Sequence, residues 1–193
     1  GTSGFRWVID PIDGTVNYLY GLPGWSVCVG LEYEGEPIVG VVSAPTYGVT
    51  YYAARGLGAF RETSGASEPI SPSHVADLPM ALTATGFGYA STQRAFQAEI
   101  LRTLLPEIRD IRRAGSAAVD ICWVADGKVD AVYEKGLSPW DYLAASVIAT
   151  EAGAVVAGLD GRGPNADLTI AANPVLFAKF HDRLKQLGAG KPV

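Results

Sequence analysis

A chain of 193 residues, 48% of them hydrophobic, can bury one large core or two small ones, which excludes a disordered or fibrous protein. Fifteen basic against twenty acidic residues give a formal charge of −5, and the one basic cluster, Arg109, Arg112 and Arg113, reads as a solvated strand edge or subunit contact, so nucleic acid is not suggested as a partner. Cys28 and Cys122 lie in apolar runs without zinc or disulfide spacing, which points to buried thiols in a reducing cytoplasm, and no apolar stretch is long enough for a membrane span.

Residues 5–62 are β-rich. Phe5–Ile9, Trp25–Tyr33, Pro37–Ala44, Thr50–Ala54 and Gly58–Arg61 are predicted strands between Gly and Pro punctuation, and Glu34, Gly35 and Glu36 read as a hairpin turn between antiparallel neighbours. Residues 63–79 carry Ser and Pro without periodicity. They mark a boundary between an antiparallel-sheet domain, 1–78, and an alternating β/α domain, 79–193. In the second half Met80–Thr85 predicts a strand, and Ser91–Leu105 a helix with Phe96, Ile100 and Leu104 on one stripe, closed by Pro106. Ile108–Arg112 is a short strand, Ser116–Asp126 a helix stopped by Gly127, and Val129–Tyr133 another strand. Ser138 and Pro139 supply the N-cap and first turn of a helix over Trp140–Ala152, ended by Gly153. Strands at Ala154–Ala157 and Leu168–Ala172 and a helix at Pro174–Leu187 complete the chain. Strands first and β/α alternation later imply two sheets with helix layers between them.

The chemistry concentrates in Asp10, Pro11, Ile12, Asp13, Gly14 and Thr15, straight after the apolar Trp7, Val8 and Ile9. Pro11 has no N–H and ends strand pairing, so the two aspartates are presented at a strand end. Crowded hard oxygen ligands repel one another unless a cation such as Mg²⁺ sits between them. Asp13 is placed to cap a following turn, with Gly14 and Thr15 aiming N–H groups at an anion. Downstream, Gly115, Ser116 and Ala117 open a helix, Glu134 ends a strand, and Asp141 lies in the first turn of its helix, where the dipole favours a carboxylate.

Trp7 to Thr15 with Asn17, Gly115 to Ala118, Glu134, Trp140 with Asp141, and the trailing Glu151, Ala152 and Gly153 together resemble the inositol monophosphatase family, closest to its bacterial SuhB type. The resemblance implies an α/β fold, a layered α-β-α-β-α sandwich assembled as a cytoplasmic homodimer, and a lithium-sensitive site with two or three Mg²⁺ ions. It implies that Asp10 bridges two ions, that the Ile12 carbonyl binds one, and that Asp13 and Asp141 complete the second. Gly14 and Thr15 would hold the phosphate, Thr15 and Asp13 acting in catalysis through the attacking water, while Gly115, Ser116, Ala117, Glu134 and Asp141 would line the alcohol side. The implied reaction is hydrolysis of inositol 1-phosphate by a two-metal activated water; histidinol phosphate, fructose 1,6-bisphosphate, a nucleotide 3′-phosphate or a regulatory role toward the transcription machinery are the alternatives. Family members carry a Glu-Glu pair and helices upstream of the first motif. Met80 is the only methionine and the chain opens at Gly1, so the expectation is a piece of a longer protein without its first helical layer.

Overall fold

The computed structural model describes residues 2–192. Six strands form an antiparallel sheet in chain order: β1 (Phe5–Asp13), β2 (Ser26–Tyr33), β3 (Glu36–Ala44), β4 (Val49–Ala54), β5 (Ala59–Thr63) and β6 (Ala66–Pro69). Glu34 and Gly35, both at positive φ, make the tight turn joining β2 to β3. A short helix, α1 (Thr15–Leu19), follows β1. The second half supplies β7 (Leu82–Thr85), α2 (Ser91–Leu104), β8 (Asp110–Arg112), α3 (Ala117–Ala125), β9 (Ala131–Glu134), α4 (Pro139–Glu151), β10 (Val155–Ala157), β11 (Thr169–Ala172) and α5 (Pro174–Leu187). Its five-stranded sheet has the order β10-β11-β9-β7-β8, parallel at β9-β7-β8 and antiparallel elsewhere.

Alternation along the strands sorts the helices into layers. Val132 and Ala171 face a core shared with α3, α4 and the inner face of the first sheet, whereas Ala131, Tyr133, Ile170 and Ala172 face α2 and α5. The layers therefore run sheet, helices α3 and α4, sheet, helices α2 and α5. The approach of α4 to the first sheet depends on two paired glycines. Gly30 and Gly40 lie opposite each other in the β2–β3 register, and a Cβ on either would overlap α4, at Leu143 and at the Ala144 carbonyl respectively. The other face of the first sheet presents Phe5, Trp7 and Ile9, all exposed.

Most expected elements are present within two residues of their boundaries, and the exceptions are local. β1 does not end at Ile9: pairing resumes at Asp13 opposite Ser26 after a register shift between Asp10 and Asp13. Strand β6 and helix α1 were not expected. Pro106 lies inside a 3₁₀ turn, Leu105–Glu107, that continues from α2. Among the described residues no helix is long and apolar enough to cross a membrane.

Candidate metal and phosphate site

In a regular strand, residues three apart point to opposite faces. Asp10 and Asp13 pair with Cys28 and Ser26, which are two apart on β2 and share its buried face. Three residues on β1 against two on β2 is a bulge, and it turns both aspartates toward the helix layer. Pro11 cannot donate to the ladder, and the freed Ile12 N–H goes instead to Asp10 Oδ1 at 2.9 Å. The expectation that Asp13 caps the turn after it is corrected here. Asp13 Oδ2 accepts from Ser116 Oγ at 2.6 Å and from the Ala118 N–H at 2.9 Å, so it caps α3, over a hundred residues away in sequence.

Asp141 comes from the start of α4. Its Oδ2 accepts from the Ser138 N–H at 2.7 Å in a capping box, which fixes the side chain. Asp10, Asp13 and Asp141 thereby offer ligand oxygens that all lie within 4.8 Å of one another. Burial, opposed by the hydrogen bonds it accepts, pushes the Asp13 carboxyl above its ordinary value. Burial first, and then the charges of Asp13 and Asp10, push Asp141 up to about 6. An all-oxygen set of three crowded carboxylates is the donor chemistry of a hard divalent cation.

Gly14 at φ 88° is the N-cap of α1. Thr15 Oγ1 donates to the Ile12 carbonyl at 2.9 Å, so this hydroxyl and the expected metal-binding carbonyl meet at one place. Asn17 ties this turn to the segment before α3, donating to Pro23 O at 2.7 Å and Ala114 O at 2.6 Å. The result is a cleft of about 190 Å³ lined by Asp13, Gly14, Thr15, Gly115, Ala117, Glu134 and Asp141. Ser116 is placed differently from the expectation of a substrate contact: its side chain is fully buried, accepts from the Val119 N–H at 3.1 Å and holds Asp13.

Glu134 is part of the cleft lining, where burial and then the charge of Asp13 push its carboxyl up to about 8, with Arg113 opposing. Arg113, exposed just past the edge strand β8, also lines the cleft; Arg112 lies on the β8 edge, paired with Asp110 at 2.7 Å. Sequence reasoning missed Asp120. It is 1% exposed, its Oδ1 has no hydrogen-bond partner among the described residues, and burial followed by the charges of Glu134 and Asp13 raises its carboxyl well above the ordinary range. The available signal was a lone acid in the small and apolar run Ala117–Ala125.

With this geometry in view, the comparisons with known proteins are direct. The model of the inositol monophosphatase family matches residues 1–189. The chain is 45% identical over 189 residues to the inositol-1-monophosphatase of Mycobacterium leprae, covering 97% of this chain and 65% of that protein, so it spans about two thirds of its relative. It is 37% identical over 187 residues to the Nus factor SuhB of Escherichia coli, covering 93% of this chain and 68% of that one. The solved structure of Mycobacterium tuberculosis SuhB superposes with a TM-score of 0.89 at 40% identity, over 97% of this chain and 74% of that one. The family match, the sequence identity and the superposition agree: the chain belongs to the inositol monophosphatase family.

Proposed function

We propose that the chain carries the reacting groups of a Mg²⁺-dependent phosphate monoester hydrolase whose substrate is a polyol phosphate, inositol 1-phosphate first among them. The observation that carries this reading is the meeting of Asp10, Asp13 and Asp141 at a cleft that Asp13 and Asp141 line together with Gly115 and Ala117 at the N-terminus of α3. Asp10, Asp13, Asp141 and the Ile12 carbonyl would hold the cations, which when bound supply charge neutralisation of the phosphate and a water of lowered pKa.

The chain's own groups do the rest. N–H groups at Gly14 and Thr15 and the positive end of α3 at Ala117 favour a phosphate in the cleft. The Thr15 hydroxyl orients the attacking water, and Ser116 and the Ala118 N–H keep Asp13 in place as it does so. Glu134 receives the hydroxyls of the leaving alcohol, and its place in the cleft wall favours a polyol over a nucleotide. The homodimer implied by the resemblance belongs to this proposal and is read by light scattering.

The test uses the complete gene product. Phosphate release from inositol 1-phosphate is expected only with Mg²⁺ and is abolished in Asp13→Asn; retained activity in that variant refutes the ligand assignment. Histidinol phosphate and fructose 1,6-bisphosphate in the same assay rank the substrates. The Escherichia coli relative named a Nus factor supports a second reading, binding to the transcription machinery. Capture of that machinery by Asp13→Asn supports it, and absence of capture by the unmodified protein removes it.

A further inference from the structure

The segment after β7 forms part of the cleft wall through Phe87, Gly88 and Tyr89. It is irregular, and its backbone groups are satisfied from α2. Gln97 Oε1 accepts from the Gly88 N–H at 2.9 Å, and Gln97 Nε2 donates to the Gly86 carbonyl at 3.2 Å. Gln97 is 7% exposed and shares the buried face of α2 with Ile100 and Leu104. A primary amide on such a face costs stability unless both its ends are paired, and here both are spent on this loop.

One turn earlier, Gln93 fills the notch between Gly88 and Gly136. A Cβ on either glycine would overlap its amide, and its Nε2 donates to the Lys135 carbonyl at 3.2 Å. Gly86 has a different neighbour: a Cβ there would overlap the Glu134 carboxyl. Gly86 is not in the left-handed region, so space and not backbone conformation requires a glycine there. Glu134 therefore cannot shift toward β7 while the loop stays in place, and the loop cannot relax without breaking the Gly88 N–H bond and orphaning the buried Gly86 carbonyl.

We propose that Gln93 and Gln97 are positioning residues, and that the loop of residues 86–89 they lock is the specificity wall that sets where Glu134 meets the hydroxyl-bearing part of the substrate. The inference rests on the reading of the site as a polyol-phosphate hydrolase. It is tested by steady-state kinetics of the complete gene product with Mg²⁺ on inositol 1-phosphate and on p-nitrophenyl phosphate, whose leaving group offers no hydroxyl to Glu134. Gln97→Leu keeps the volume and removes both hydrogen bonds. KM for inositol 1-phosphate is expected to rise at least about tenfold with kcat within about threefold, and the kcat/KM ratio between the two esters to fall by about tenfold or more. Gly86→Ala is expected to cause the same selective loss by displacing Glu134 directly, and it carries the test should Gln97→Leu not fold. Equal losses on both esters, or an unchanged ratio in the folded variants, overturn the inference alone. An unmodified protein inactive on both esters overturns the functional reading and this inference with it.

Discussion

Replacing Glu134 by Gln should change how the stability of the metal-free protein depends on pH. In the folded chain the Glu134 carboxyl is raised from its ordinary value of 4.5 to about 8, chiefly by burial. A group raised on folding contributes stability that is fully present below the unfolded value, near pH 4.5, and is lost as pH rises through about 8. Between pH 5 and pH 7 the unfolded chain releases this proton while the folded chain keeps it. At about 1.36 kcal/mol per pH unit, and allowing for partial ionisation at pH 5, the loss attributable to Glu134 is between about 2 and 3 kcal/mol. For a chain of this size that corresponds to roughly 5–10 °C in Tm. Asp13, Asp120 and Asp141 are shifted in the same direction, so some pH dependence persists in Glu134→Gln; the informative quantity is the difference between the two proteins. Urea denaturation in the presence of a chelator at pH 5 and pH 7 measures it. Parallel pH slopes for the two proteins would refute the claim that Glu134 is held protonated by its surroundings.

Two further outcomes follow from the same geometry. Asp141, pushed up to about 6 without a cation, has to lose its proton when Mg²⁺ binds, so affinity should fall about tenfold per pH unit below pH 6 for each proton displaced. Calorimetry in buffers of different ionisation enthalpy reads the proton release directly, and its absence at pH 5.5 would contradict the electrostatic picture. Gly40→Ala should destabilise by about 1–3 kcal/mol or more because its Cβ meets the Ala144 backbone, whereas Gly30→Ala meets the movable end of Leu143 and should cost less. Thermal melts rank the pair, and a reversed order would show that α4 is not fixed at Gly40.

The strands of the first sheet were legible because β-branched and aromatic runs there alternate between a buried and an outer face, as in Ser26–Tyr33. Strand β6 was not, since its four residues are all exposed and carry no apolar pattern. Asp10, Asp13 and Asp141 were singled out by residue type, spacing and family likeness. What the local rules could not supply was the partner of Asp13: a cap formed across the fold has no sequence neighbour to announce it, and the nearer turn was the natural reading. Ser116 was misplaced for the same reason, its hydroxyl turning toward Asp13 and away from the cleft. On α2, the apolar stripe drew attention to Phe96, Ile100 and Leu104 and passed over Gln97, whose significance lies entirely in the loop it touches.

The packing of α3 and α4 against the first sheet has a consequence in time. Strands β1 to β5 are neighbours in both sequence and sheet and can pair as soon as they are synthesised, but the helices that cover their inner face are encoded roughly 50 to 110 residues later. At about 5–20 residues per second a nascent chain leaves that apolar face uncovered for roughly 5–20 s. Asp10 and Asp13 are made at the beginning of this interval and Asp141 only near its end, so more than a hundred residues are added between them before the three acids can meet.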